Sequence, residues 1–357
     1  MQDAQKRIIS DIHSQEGQKL DLRGLTKDEL EQLVADMGER PFRAKQINAW
    51  RHRPIASYDE MTNLPLSLRD RLQQKAELYQ VSVAEKYVSK KDGTVKYLLR
   101  LYDGECVECV VMRYHHGLSV CISTQVGCAM GCRFCASTIG GKKRDLLAGE
   151  ILSEVIFAQQ DMGERISNIV LMGIGEPLDN FENVRRFLIN VNDSEGLGIG
   201  YRHISLSTCG LVSGIDRLAE LNLPITLSIS LHAPDDETRS KIMPVNRKYD
   251  IDALIQACRR YQAVTGRRIS FEYAMIAGLN DSGGHAGALA VLLRGLLSHV
   301  NLIPVNPIAE RNFCKSNAAA IQKFVQILEA KGIPVTIRRE LGSDISASCG
   351  QLRKKHL

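Results

Sequence analysis

The chain has 357 residues, of which 44% are hydrophobic and 24% are charged, as in an ordinary soluble globular protein. Its best apolar run, 289–297, is too short to span a bilayer and contains Arg294, which excludes a membrane-spanning protein. Residues 1–7 lack the apolar core of a signal peptide, so the ten cysteines point to a reducing compartment. We therefore expect a cytoplasmic protein whose cysteines serve a metal or catalysis. The net charge of +5 is compatible with nucleic-acid contacts without establishing them.

Residues 1–78 are predicted to form a small helical domain. Thr26 followed by Glu29 is typical of a capping box at the start of a helix, and Gly38 suits its end. Pro41 can open a second helix that runs through Trp50. Pro65 can open a third helix that runs as far as residue 78. The domain carries no catalytic constellation.

The pattern changes to strands over 79–118, where apolar residues alternate in part and Asp92-Gly93 and Asp103-Gly104 mark turns. From residue 119 to 340, apolar runs rich in β-formers alternate with amphipathic stretches, which indicates a parallel α/β sheet. About seven such strands can be counted. They predict a partial (β/α) barrel rather than a complete eight-stranded one, followed by a C-terminal segment, 341–357.

Polar motifs follow several of these strands at their ends, where (β/α) barrels concentrate their chemistry. Each alone could be a glycine turn, a helix cap or a buried histidine. Four of them at successive strand ends favour a functional site. They are Gly173-Ile-Gly-Glu-Pro177, Ser207-Thr-Cys-Gly210, Ser230-Leu-His232 and Asn306.

Cys128, Cys132 and Cys135 follow the first barrel strand with C-x3-C-x2-C spacing, which chance would produce in about one such chain in a hundred. A [4Fe–4S] cluster normally takes four cysteines, so three leave one iron open to a small molecule. A structural zinc site is the alternative, but zinc sites usually pair two C-x2-C units. The other such unit here, Cys106 and Cys109, lies in a predicted strand.

The cysteine loop resembles the signature of the radical S-adenosylmethionine (SAM) superfamily. Five segments narrow the resemblance to the RlmN/Cfr family of RNA adenosine methyltransferases, and together they extend it over essentially the whole chain. The segment around Cys349 is especially specific. The five are 120–128, 173–178, 230–234, 303–307 and 344–352.

The resemblance implies a role for each matching position. One [4Fe–4S] cluster would be held by Cys128, Cys132 and Cys135. SAM, used twice per turnover, would be bound by Gly175, Glu176, Ser207, Ser230, Leu231, His232 and Asn306. Cys349 would carry the methyl group, Cys121 would resolve a covalent protein–RNA adduct by forming a disulfide, and Glu108 would accept a proton.

The implied reaction is methylation of C2 of an adenosine in 23S ribosomal RNA, with tRNA as a further substrate that the family permits. A reduced flavodoxin or ferredoxin would supply electrons to a monomeric enzyme. Two alternatives stay open: a Cfr-type enzyme that methylates C8 and confers antibiotic resistance, and an iron–sulfur RNA-binding protein without methyl transfer. The Thr-Gln-Val-Gly sequence ahead of Cys128 favours C2.

Other cysteines and basic residues have simpler expectations. Five cysteines are expected to be small buried hydrophobes: Cys106, Cys109, Cys209, Cys258 and Cys314. Basic clusters are expected at the solvated surface or, with the N-terminal domain, against RNA phosphates. They are Lys90-Lys91, Lys142-Lys143-Arg144, Arg259-Arg260, Arg267-Arg268, Arg338-Arg339 and Lys354-Lys355.

Overall fold

The computed structural model describes residues 19–308 and 310–352. The expectations for residues 1–7 and for Lys354-Lys355 lie outside this part of the chain. Within it, no helix is both long enough and apolar enough to cross a membrane.

The N-terminal domain is helical, as predicted, and encloses a hydrophobic core of its own. The Thr26 capping box is confirmed, since Glu29 and Thr26 exchange hydrogen bonds at the start of the first helix. The third helix ends at Lys75, earlier than predicted, because the chain then pairs as a short strand with the start of the domain. In chain order the elements are β1 (Leu20–Asp21), α1 (Lys27–Asp36), α2 (Phe42–Arg51), a 3₁₀ turn (Tyr58–Glu60), α3 (Leu66–Lys75) and β2 (Ala76–Glu77).

Three antiparallel strands follow: β3 (Ser82–Val88), β4 (Val95–Arg100) and β5 (Cys106–Tyr114). Gly93 and Gly104 have φ values of 72° and 84°, so the two predicted turns use the left-handed backbone that glycine adopts easily. β5 pairs antiparallel with β6 (Gly117–Cys121), the first barrel strand, so the extension and the barrel share one sheet.

The barrel is built from seven parallel strands, which confirms the predicted partial (β/α) barrel. After β6 come two short strands that pair antiparallel, β7 (Gln125–Val126) and β8 (Arg144–Asp145), with the cysteine loop between them, and then α4 (Ala148–Met162). The remaining strands are β9 (Ile166–Leu171), β10 (Ile204–Thr208), β11 (Thr226–Ser230), β12 (Ile269–Met275), β13 (Ser298–Pro304) and β14 (Val335–Ile337). The helices between them are α5 (Phe181–Asn192), α6 (Val212–Glu220), α7 (Asp236–Ile242), α8 (Ile251–Thr265), α9 (Gly283–Leu292) and α10 (Ala318–Ala330).

The sheet runs β14-β13-β12-β11-β10-β9-β6-β5-β4-β3, so consecutive barrel strands are also spatial neighbours. Their inward side chains and the buried faces of the helices form the main hydrophobic core. All seven parallel strands point the same way, which brings their carboxyl ends to one rim.

The N-terminal domain joins the barrel through buried polar contacts. The carboxylate of Asp21 accepts hydrogen bonds from the backbone N–H of Gly24 at 3.0 Å and of Gly149, in the first turn of α4, at 2.7 Å. Arg51 is fully buried and donates to the carbonyl of Leu25 and to the side chain of Asn190 in α5. These contacts fix the domain against α4 and α5.

Candidate active site

A cavity of about 160 Å³ lies at the carboxyl ends of the barrel strands. Ten of the thirteen predicted site residues line it. The ten are Cys128, Cys132, Cys135, Gly175, Glu176, Ser207, Ser230, His232, Asn306 and Cys349. The other three, Glu108, Cys121 and Leu231, do not line it.

The three loop cysteines line the cavity, and Cys128 and Cys132 are buried. Burial is the main reason that the pKa of Cys128 is raised to about 12, and the nearby Cys135 raises it further. Burial also raises the pKa of Cys132 and of Cys135. Binding iron would therefore release protons from these thiols. The carbonyls of Cys132 and Cys135 accept hydrogen bonds from the Thr138 hydroxyl, which orders the loop.

The donor set suits an iron–sulfur cluster, because three cysteine thiols line one cavity. Among the described residues, no three His, Cys, Asp or Glu side chains are close enough to hold one metal ion. Four tetrahedral thiolates around one zinc, each about 2.3 Å from it, would be less than about 4 Å apart. A cube of four irons binds each thiolate at a separate corner, so its ligands stand further apart around a larger space.

The turn after β9 positions Glu176. A Cβ on Gly175 would lie 2.7 Å from the Cβ of Gln125, and its φ is 110°, so only glycine fits there. The buried Glu176 carboxylate accepts hydrogen bonds from the backbone N–H of Cys209 at 2.7 Å and of Leu178 at 3.0 Å. Burial raises the pKa of Glu176, and these bonds oppose that effect.

Ser207 and Ser230 stand at the ends of the neighbouring strands β10 and β11, with their hydroxyl oxygens 3.4 Å apart. Beneath them lies the fully buried Arg239 of α7. Its guanidinium donates to the carbonyls of Cys209 at 2.7 Å, Leu231 at 3.1 Å and Ser230 at 3.3 Å. Arg239 thus ties together the loops that follow the two strands.

His232 is neutral. Burial, with the nearby Arg239 charge, lowers its pKa to about 3. Its Nδ1 accepts a hydrogen bond from the backbone N–H of Ala274 at 2.9 Å, so the proton sits on Nε2. The His232 ring packs edge-on against Phe134 of the cysteine loop, and the backbone of His232 has a φ of 60°.

The side chain of Leu231 lies in the hydrophobic core rather than in the cavity, and its backbone N–H donates to the carbonyl of Glu272.

The C-terminal segment 341–352 closes one side of the cavity. The carbonyl of Cys349 accepts a hydrogen bond from the Asn306 amide at 2.9 Å, and the carbonyl of Gly350 accepts one from the N–H of Ala136 at 2.8 Å. The same segment reaches the β3–β4 turn, where Asp344 accepts from the Ser89 hydroxyl at 2.7 Å. Cys349 is half-buried between these anchors, beside the cysteine loop.

Cys121, at the end of β6, is buried close to Cys349. Burial first, and then the charge of Cys349, raise its pKa to about 12. Both thiols are free here. Glu108, on the adjacent strand β5, is almost fully buried and forms an ion pair with Lys96 of β4 at 3.2 Å.

Two charged lining residues were missed by sequence reasoning. Glu272 is buried in β12 and accepts a hydrogen bond from the Asn301 amide at 2.7 Å. A carboxylate inside the apolar run of this strand is a signal that could have found it. Arg338 follows β14, and its guanidinium lies between Glu272 and the two cysteines. Cys349, more than Glu272 and Cys121, raises the pKa of Arg338.

One expectation about an individual residue was wrong. Cys314 is exposed rather than buried, because it lies in the irregular loop between β13 and α10. Of the two basic residues at 338 and 339, Arg338 lines the cavity. The other four cysteines expected to be buried are buried. The cluster at Lys142-Lys143-Arg144 is occupied by ion pairs with acidic side chains of this chain.

Comparison with known proteins agrees with this fold. Residues 122–284 match the radical SAM superfamily, and residues 20–78 match the ribosomal RNA large subunit methyltransferase N-terminal domain. A radical SAM methyltransferase from Sphaerobacter thermophilus superposes with a TM-score of 0.88 at 46% identity, over 93% of this chain and 99% of that one. The fold and the site therefore define a radical SAM enzyme, a class that uses a [4Fe–4S] cluster and SAM, which answers the zinc alternative.

Closer relatives in sequence specify the family. A probable dual-specificity RNA methyltransferase RlmN from Alkaliphilus metalliredigens is 55% identical over 95% of this chain and 96% of its own. The protein of the same name from Alkaliphilus oremlandii is 54% identical over 95% of this chain and 99% of its own. The chain belongs to the RlmN family of radical SAM RNA methyltransferases.

Proposed function

We propose that this protein methylates C2 of adenosine in 23S ribosomal RNA and in tRNA. The observation that carries the proposal is the position of Cys349, which lines the cavity together with the three loop cysteines and lies close to Cys121. A methyl carrier must meet both the radical source and the resolving thiol. The dual-specificity names of the relatives support both RNA substrates.

Cys128, Cys132 and Cys135 would hold the cluster, which supplies the electron that cleaves SAM into methionine and a 5′-deoxyadenosyl radical. Glu176, Ser207, Ser230 and His232 would bind the polar groups of SAM, because these residues line the cavity. Gly175 leaves room there, Leu231 contributes backbone, and Asn306 would bridge SAM and the Cys349 segment.

The chain's own residues first prepare a methyl carrier. The Cys349 thiolate attacks the methyl group of one SAM, forming an S–CH₃ bond and releasing S-adenosylhomocysteine. Arg338 lies close enough to Cys349 to stabilise the thiolate that this step requires. The Cys349 methyl group would then lose one hydrogen atom to the radical that cleavage of a second SAM supplies.

The carbon radical on Cys349 adds to C2 of the adenine, which joins RNA to protein. The adduct radical would return one electron to the cluster held by Cys128, Cys132 and Cys135, and it loses the C2 proton to Glu108. The Cys121 thiolate attacks the Cys349 sulfur, and the carbon–sulfur bond breaks with its electron pair on carbon. That carbon takes up a proton to become the methyl group, and a Cys121–Cys349 disulfide remains to be reduced.

The reaction also requires an electron donor and surfaces that bind RNA. A flavodoxin or ferredoxin would deliver the electrons, because such carriers transfer them singly at low potential. The N-terminal domain and exposed basic residues would contact RNA phosphates. We expect the enzyme to act as a monomer in the cytoplasm, where both RNA substrates reside.

Nucleoside analysis tests the proposal directly. RNA from a bacterial host that lacks its own C2 methyltransferase, with and without this gene, is digested and analysed by mass spectrometry against C2- and C8-methyladenosine standards. We expect C2-methyladenosine in both 23S ribosomal RNA and tRNA only when the gene is present. Methyl at C8 would identify a Cfr-type enzyme, and no SAM cleavage by the reduced protein would identify a binding protein.

A further inference from the structure

The buried face of the sheet beneath the C-terminal segment contains a lysine with two partners. The ammonium of Lys96 lies 3.2 Å from Glu108 Oε1, and it donates to the carbonyl of Ser346 at 3.2 Å. The side chains of Lys96 and Glu108 are 7% and 1% exposed. Lys96 therefore connects the proposed proton acceptor to the segment that carries Cys349.

Strand register explains why these groups meet. Lys96 is opposite Val110, and Val110 is opposite Cys121 on the next strand. Opposed residues project to the same face, and so do residues two apart, such as Glu108 and Val110. Lys96, Glu108 and Cys121 consequently share one face of the sheet, and the segment with Ser346 lies over it.

The energetics of burial make the link strong. A carboxylate out of water requires a compensating charge, and removing one partner of a buried pair leaves the other charge uncompensated. The Lys96 ammonium has three donors, and the ring of Tyr87 lies 5.3 Å from it. The charge of Lys96 stabilises the Glu108 carboxylate on β5, and the length of its side chain lets the same nitrogen contact a backbone carbonyl of the segment.

We propose that Lys96 is a positioning residue that links proton acceptance by Glu108 to the seating of the Cys349 segment. This inference rests on the proposed function and adds a residue to it. The Lys96 ammonium compensates the charge of the buried Glu108 carboxylate, and the same nitrogen holds the carbonyl of Ser346 in the segment. Without Lys96, the proton acceptor lacks this compensation and the segment lacks this donor at the stage when Cys121 must reach the Cys349 sulfur.

The test follows separate steps in the reconstituted full-length protein with an RNA substrate. Whole-protein mass reports methylation of Cys349, chromatography reports 5′-deoxyadenosine, and denaturing gels report the protein–RNA adduct. The variants are Lys96→Met, which removes the charge, and Lys96→Arg, which keeps it. Lys86→Met is the matched control, because Lys86 lies on the neighbouring strand β3 and pairs with Asp161 at a partly exposed position.

For Lys96→Met we expect normal Cys349 methylation and 5′-deoxyadenosine, with release of methylated RNA slowed about a hundredfold, the lower end of what general acid–base groups contribute. The adduct should accumulate, Lys96→Arg should restore most release, and Lys86→Met should match the wild type. Should Lys96→Met not fold, Lys96→Gln carries the same test. Wild-type release by Lys96→Met, loss of Cys349 methylation in it, or no rescue by a folded Lys96→Arg would each overturn the inference. A wild-type protein without adduct or product would instead overturn the proposed function.

Discussion

Single residues hold the strand ends in place, and Arg239 is the clearest example. Its guanidinium satisfies three backbone carbonyls after β10 and β11 and also donates to the Asn246 side chain at 2.8 Å. A buried carbonyl that loses its donor is costly, and these carbonyls belong to the loops that present Ser230 and His232. One side chain thereby supports both the stability of the barrel and the geometry of the cavity.

We expect Arg239→Met to lower the free energy of unfolding by on the order of 3 kcal/mol and to weaken SAM binding. Chemical denaturation and SAM titration measure the two effects. Arg260→Met is the control, because the Arg260–Asp216 pair is exposed and should contribute less than about 1 kcal/mol. Equal losses in the two variants would contradict the role assigned to Arg239.

Cys121 provides a second prediction at this scale. Replacing it by Ala removes the thiol that attacks Cys349 but leaves the cysteine loop and the methyl carrier intact. The Cys121→Ala protein should form 5′-deoxyadenosine and then remain covalently bound to RNA, visible as a slowly migrating band on denaturing gels. Cys258→Ala, at a cysteine buried in α8 and the main core, is the control and should release its product. Absence of the band during turnover would contradict the resolving role.

Elements are joined by a few buried polar contacts, and the start of α4 shows how such a contact depends on pH. Asp21 accepts hydrogen bonds from Gly24 and Gly149, yet burial raises its pKa from 3.8 to about 6. The folded state therefore binds a proton that the unfolded chain has already released between these two values. The stability that this proton provides is complete below pH 3.8 and is lost as the pH rises through 6.

The stability of wild type relative to Asp21→Asn should accordingly fall as the pH rises from about 4 to about 7. About two pKa units correspond to roughly 3 kcal/mol, which sets the upper size of the change. Urea denaturation at several pH values measures it. A difference between the two proteins that does not vary with pH would contradict the raised pKa of Asp21.

The C-terminal segment is also held by an element that lies outside the barrel, the β3–β4 turn. Asp344 accepts from the Ser89 hydroxyl and from the backbone N–H of Lys90, and Gly342 donates to Asp92 at 2.9 Å. The β extension therefore anchors the segment that carries Cys349, at a distance from the cavity.

Asp344→Asn should loosen this anchor, because an amide nitrogen would replace one of the two accepting oxygens. We expect a few-fold faster hydrogen–deuterium exchange over residues 341–352, measured by mass spectrometry. Glu340→Gln changes a neighbouring carboxylate that pairs with Lys315 and does not contact the turn, so its exchange should resemble the wild type. Unchanged exchange in Asp344→Asn would rule out the anchor.

The whole molecule combines a helical domain, an antiparallel extension and a parallel barrel, and the chain order of its motifs predicted this arrangement. Hydrophobic periodicity depends on local sequence, so the seven barrel strands and the turns at Gly93 and Gly104 could be predicted. The end of α3 could not, because β2 forms only by pairing with β1, more than fifty residues earlier. Cys314 was misjudged because exposure depends on what packs over a loop.

The sequence by itself determined the kind of chemistry, because the cysteine spacing and the strand-end motifs are local features that survive without a fold. It also identified Cys121 and Cys349 as a pair, through resemblance. Only the tertiary structure decided which groups surround them. Arg338, Glu272 and Lys96 lie in separate strands or loops with no shared motif, and strand register and packing bring them to the two cysteines and to Glu108. Long-range pairing is a property of the folded chain, and no local pattern encodes it.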